Sequence, residues 1–243
     1  MTAAVARRLA AEFTGTGLLV AVVVGSGIAV TRLTGDGALR LLVNSLATAA
    51  GLAVLIVVLA PVSGAEFNPV VTLAGWVLGR SARGRHGLGL AAAIIACQIA
   101  GAIAGSALAD AMFAVPALAA SGHRRGGGPV LLSETVATAG LVLVIVALAR
   151  TGQARHTAWA VGAWIGAAYW FTASTSFANP AVTIGRALTP TYAGIAPASA
   201  PAFIAVQVAG GAVGLALAIT LYPRASRYPV PGTAEGHGHD ANP

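Results

Sequence analysis

Two asparagines 111 positions apart (179 − 68), Asn68 and Asn179, each stand directly before a proline at the end of a loop rich in small residues. The first stretch reads Ser63-Gly64-Ala65-Glu66-Phe67-Asn68-Pro69-Val70-Val71-Thr72-Leu73, the second Ser176-Phe177-Ala178-Asn179-Pro180-Ala181-Val182-Thr183-Ile184-Gly185-Arg186. Asparagine is a strong N-cap, and proline suits the first helical position, where its missing N–H costs nothing. Each Asn-Pro therefore predicts a helix start, with a side-chain oxygen that caps and an amide that still donates. The dipeptide Asn242-Pro243 at the C-terminus lacks any such setting and reads as tail. Glu12 and Glu134 are the other candidates, ionisable groups inside apolar runs and expensive there unless partnered. They are read as structural: each carboxylate accepts backbone N–H groups from a nearby non-helical loop, which must find partners at membrane depth.

Enzyme chemistry has little support. His86, His123 and His156 fall in loops and His237 and His239 in the tail, so no apolar run carries a histidine to serve as a base. The reading is a protein that is not an enzyme. Gly236-His237-Gly238-His239-Asp240 offers two histidines without a scaffold, so neither a metal site nor a cofactor is expected. Cys97 is the single cysteine and lies in an apolar run, which excludes an internal disulfide.

The elements that must position these residues follow from composition. Of 243 residues 57% are hydrophobic and only 9% charged, a balance foreign to a soluble domain of this length. Six runs are long enough to cross a bilayer: about residues 9–30, 41–60, 88–109, 130–149, 157–175 and 202–222. Between the second and third, and between the fifth and sixth, lie the two Asn-Pro segments. Each is followed by about ten apolar residues, roughly 15 Å of helix, or half a hydrocarbon core. The fold expected is an all-α membrane protein of six transmembrane helices and two re-entrant half-helices. Arg7 and Arg8 precede a first run long enough to span, with no convincing cleavage site, so it is read as an uncleaved helix.

All fourteen basic residues are arginine, scattered through short connections and not interleaved with aromatics, which argues against nucleic-acid binding despite a pI near 11. With the N-terminus inside, nine face the cytoplasm: Arg7, Arg8, Arg80, Arg83, Arg85, Arg150, Arg155, Arg224 and Arg227. The other five, Arg32, Arg40, Arg124, Arg125 and Arg186, are outside, so both termini are expected in the cytoplasm. The abundance of Ala, Gly, Val and Arg without Lys suits a GC-rich bacterial genome.

The chain also repeats itself. Glu12 in the first run corresponds to Glu134 in the fourth, and Gln98-Ile99-Ala100-Gly101 in the third to Gln207-Val208-Ala209-Gly210 in the sixth. Repeat one covers about 9–110 and repeat two about 130–222 of a single domain, 1–222, followed by a polar tail, 223–243, expected to be disordered. Three spans per half is an odd number, so the halves must be inverted in the membrane. Gly101 with Gly105, and Gly210 with Gly214, give a Gly-x-x-x-Gly in each matched span and are read as close-packing positions.

Paired Asn-Pro half-helices, a Glu in the first and fourth spans and Gln-x-Ala-Gly in the third and sixth together resemble the major intrinsic proteins, the aquaporins and glycerol facilitators, over about Glu12 to Leu221. The resemblance implies a passive channel for water and small uncharged solutes, with Asn68 and Asn179 side by side in the pore and Glu12 and Glu134 supporting the loops. It also implies a homotetramer in the lipid bilayer, here a bacterial plasma membrane. The positive ends of two half-helices would disfavour cations, and the Asn amides would break the water chain along which protons hop.

Several positions depart from the family pattern. Asn-Pro-Ala is expected twice, but the first copy is Asn68-Pro69-Val70, which adds bulk. The residue two before the first Asn, often His, is Glu66, read as a vestibule charge or a solvated group. Where water-selective members carry an Arg three residues after the second Asn, this chain has Val182; Arg186 follows one turn later and is expected to neutralise the outer end. Carried over by counting, the other filter positions are Ala167 or a neighbour, Ser176, and Thr48 or Ala50. None of these is charged or aromatic, so the constriction is expected to be wide and nearly neutral. Such a ring would pass glycerol and metalloid hydroxides, and Tyr169-Trp170-Phe171 with its Thr/Ser-rich sequel resembles bacterial members associated with arsenite. A secondary transporter with inverted repeats is the alternative, with Glu12, Glu66, Asp110 and Glu134 as the only near-membrane acids.

Overall fold

A computed structural model describes residues 2–79 and 87–223. The tail, its histidines, and Arg80, Arg83, Arg85, Arg224 and Arg227 of the orientation count lie outside the described residues. Among the described residues the chain is helical throughout: α1 (Ala3–Leu33), α2 (Gly37–Ser63), α3 (Pro69–Val77), α4 (Leu88–Met112), α5 (Gly128–Arg150), α6 (Thr157–Phe171), α7 (Pro180–Arg186) and α8 (Ala200–Leu221). Five of these are long and apolar enough to cross a membrane. The fifth expected span is shorter than its apolar run: α6 holds fifteen residues, about 22 Å, after a 3-10 turn at Ala154–His156. It stops at Phe171 because Thr172 is extended and the chain turns inward towards Asn179. In contrast, α1 starts six residues before its apolar run, with Thr2 Oγ1 accepting from Val5 N–H.

The glycine pairs explain how the bundle closes. A Cβ on Gly101 or Gly105 would lie 2.2 or 2.1 Å from the carbonyl oxygens of Phe13 and Gly17, so α4 rests on the backbone of α1. In the second repeat Gly210 and Gly214 stand equally close to the carbonyls of Thr135 and Ala139, seating α8 on α5. Backbone contact this close maximises dispersion between helices that gain nothing from excluding water inside a bilayer. The half-helices dock between these pairs, α3 against α4 and α8, α7 against α4, α8 and α1. Val70 takes the place expected for Ala by packing into a gap on α8: its Cγ1 occupies the space that a Cβ on Gly211 would enter. The added bulk points away from the cavity, which Val71 lines instead.

Candidate functional site

Both loops before the Asn-Pro steps use left-handed backbone at matching positions. Ala65 and Phe67 have φ of 51° and 48°; Ser176 and Ala178 both have φ of 48°. Such conformations cost non-glycine residues about 1–2 kcal/mol each, so something outside the loop must hold them. Glu12 does so in the first repeat, accepting from Glu66 N–H at 3.0 Å and Phe67 N–H at 2.8 Å. Glu134 repeats the arrangement with Phe177 N–H at 2.8 Å and Ala178 N–H at 2.9 Å. Gln98 and Gln207 each donate to the same carboxylate at 2.8 Å and to Thr72 or Thr183 of the half-helix at 3.0 Å. Because N–H and C=O point opposite ways across a trans peptide, the carbonyls of Ala65, Glu66, Ser176 and Phe177 face away from the carboxylates, and all four residues line the central cavity.

Asn68 and Asn179 cap their half-helices. Asn68 Oδ1 accepts from Val70 N–H at 3.0 Å, and Asn179 Oδ1 from Ala181 and Val182 N–H at 2.9 and 3.2 Å. Their amide nitrogens cross between the repeats: Asn68 Nδ2 donates to Ala178 O at 2.8 Å, and Asn179 Nδ2 to Phe67 O at 2.7 Å. Each amide nitrogen carries two hydrogens, so one per asparagine is left for the cavity that both residues line. The two half-helices thus meet N-terminus to N-terminus.

The cavity measures about 840 Å³. One wall is aliphatic, with Leu19, Ile56, Leu141 and Val161, while the loops supply the polar groups. Thr48, Ser176 and Val182 all lie on it, whereas Ala50 is exposed and does not. Ala167 is also exposed, on the outer surface of α6, and does not line the cavity, so of Ala167 or a neighbour only a neighbour can. Counting back from Asn179 across an irregular loop misplaces the helical face by two residues, about 200° around the axis. The face that reaches the cavity is Ala158, Val161, Ile165 and Tyr169, whose three- and four-residue spacing was visible in the sequence. Tyr169 Oη shares a 3.1 Å hydrogen bond with Thr48 Oγ1.

The cavity lining also includes an aromatic, Tyr169, and a cation, Arg186, that were not among the counted filter positions. Arg186, expected at the outer end, is 2% exposed yet lines the cavity. Its guanidinium carbon sits 3.4 Å from the centroid of the Phe177 ring, and Nε donates to Ala193 O. Arg125 approaches the same ring at 5.2 Å and donates to Gly194 O at 3.0 Å. Burial lowers the pKa of Arg125 and the Tyr192 phenol counters part of that, but a guanidinium remains a cation. At the cavity's other end Glu66 pairs with Arg8 at 3.5 Å, neither free charge nor simply solvated.

A central cavity between two half-helices that meet at capping asparagines, in an all-helical bundle with a twofold internal repeat, defines a membrane channel fold. The family model for Major intrinsic protein matches residues 1–155, and the chain belongs to the major intrinsic protein family. It is 50% identical over 211 residues to the Aquaglyceroporin AqpS of Rhizobium meliloti (strain 1021), covering 87% of this chain and 88% of that one. A probable aquaporin of TIP type from Medicago truncatula is 39% identical over 144 residues, 57% of this chain and 55% of the relative. Among solved structures, the aquaglyceroporin from Plasmodium falciparum superposes with a TM-score of 0.64 over 90% of this chain and 95% of that chain, at 19% identity. That likeness speaks for the fold.

Proposed function

We propose that this protein is a passive pore conducting water and small uncharged solutes, glycerol and metalloid hydroxides such as arsenous acid among them, with Asn68 and Asn179 as its central donors. The observation that carries this reading is the reciprocal pair of bonds by which each asparagine is fixed against the opposite repeat, leaving one amide hydrogen each towards the cavity. Thr48, Ser176, Val182 and Tyr169 form its filter, and Glu12 and Glu134 keep the loops in their left-handed turns. The 50% identity to a protein named an aquaglyceroporin supports the solute class. The protein works as a homotetramer in a bacterial plasma membrane, its channel domain spanning 1–222 and both termini cytoplasmic.

Stopped-flow swelling of proteoliposomes with water, glycerol, urea and arsenous acid tests the reading: uptake above that of empty vesicles, linear in solute concentration and indifferent to a proton gradient, is the expected result. Saturation or proton coupling would instead favour a secondary transporter. Of the four near-membrane acids only Glu66 lines the cavity, where it pairs with Arg8. Glu12 and Glu134 are bonded to backbone and glutamine and do not line the cavity, and Asp110 accepts from Thr189 away from it.

A further inference from the structure

We propose that Glu66 sets the charge selectivity of the pore from the mouth opposite Arg186, closing it to small monovalent anions of the size that it passes as neutral solutes. The proposal deepens the channel reading and rests on it. Among the described residues four charged side chains line the cavity, Arg8, Arg155 and Arg186 against the single acid Glu66. A low-dielectric aliphatic wall focuses the field of such charges into the passage, and a surplus of cations draws anions in. Rejecting anions therefore depends on a negative charge held where the solute must pass. Glu66 is held there by its backbone as well as by its side chain. Its N–H donates to the buried Glu12 carboxylate at 3.0 Å, and it stands between Ala65 and Phe67, both left-handed, so the loop cannot drift away from the mouth. Its Oε1 accepts from Arg8 Nη2 at 3.5 Å, which balances the Arg8 charge at that end of the cavity. Without the carboxylate the charged lining would consist of arginines alone.

Nitrate and urea are both planar, trigonal and of similar size but differ in charge, so their permeability ratio isolates that charge. In proteoliposomes containing valinomycin, which lets potassium carry the balancing charge, and corrected for empty vesicles, the parent protein should pass urea and little nitrate. Glu66→Gln removes the charge and keeps the shape. The nitrate-to-urea ratio should then rise roughly tenfold, the effect of one unit charge a few ångströms from the solute at a dielectric between protein surface and bulk water. Glu66→Asp keeps the charge and should keep the parent's ratio. Arg8→Gln separates charge from mere latching: it breaks the same ion pair but leaves the acid, so the ratio should not rise. Should Glu66→Gln fail to fold, Glu66→His at about pH 8, where imidazole is neutral, takes its place. An unchanged ratio in folded Glu66→Gln, an equal rise in Arg8→Gln or Glu66→Asp, or a parent that passes nitrate as readily as urea overturns the proposal while leaving the channel reading standing; a parent protein that conducts no solute sinks both.

Discussion

The asparagine amide does two things that a carboxylate of the same shape cannot. Asn68→Asp or Asn179→Asp keeps an oxygen to cap the half-helix but loses the donor to Ala178 O or Phe67 O, orphaning a buried carbonyl at a cost of about 1–3 kcal/mol. Permeability per folded channel should drop several-fold in both. Asn44 is the control: it is equally buried and donates to Val23 O and Ser26 Oγ, so Asn44→Asp should cost similar stability, but it lies off the cavity and should leave conductance per folded molecule unchanged. Equal loss at all three sites would mean that only folding is affected. Val182→Arg tests the filter from another side. It places a second guanidinium one turn before Arg186, narrows the opening and adds fixed donors, so the glycerol-to-water ratio should fall in swelling assays even as both fluxes decline. An unchanged ratio would remove Val182 from the filter.

At the scale of the helix, the bulk of Val70 and the bareness of Gly211 compensate each other. A Cβ on Gly211 would come within 2.1 Å of Val70 Cγ1, so Gly211→Ala should overpack the α3–α8 contact and cost about 1–3 kcal/mol. Val70→Ala should lose less, and the double variant should recover most of the stability that Gly211→Ala loses. Thermal unfolding of all four proteins in detergent checks this, and strict additivity would show that the two residues do not meet. The half-helices are likewise tied to Gln98 and Gln207 through Thr72 and Thr183: short half-helices depend on neighbouring spans because nine and seven residues cannot be stable alone.

For the whole molecule, the arginine bias read from the sequence sets the expectation that both termini lie in the cytoplasm. The loop between α4 and α5 should face outward, so Arg124→Cys should react with an impermeant thiol reagent in intact cells, with Cys97 replaced beforehand. Arg124 is exposed, whereas neighbouring Ser121 is buried beneath Gly194 and would stay silent whichever way the protein sits. Protection of the label at position 124 would invert the topology.

The helices, the two Asn-Pro starts, the internal repeat and the matched Glu and Gln positions were legible in the sequence because they are local or periodic: apolar length, capping chemistry and recurring spacing each leave a mark in a single stretch of chain. The glycine pairs were legible for the same reason. The filter was not. Counting gave Ala167 or a neighbour, and it is Tyr169 that lines the cavity, because an irregular loop separates α6 from Asn179 and counting through it cannot fix a helical face to better than a residue or two. Arg186 was expected at the outer end; that it lines the cavity, held by Phe177 and by Ala193, seven residues on, comes from contacts that no spacing rule reports. Likewise Val70 fits only because Gly211 faces it from the other repeat. Periodicity determines which residues belong to a helix; which of them meet across the cavity depends on how helices distant in sequence rotate as they pack, and only the tertiary structure decides that.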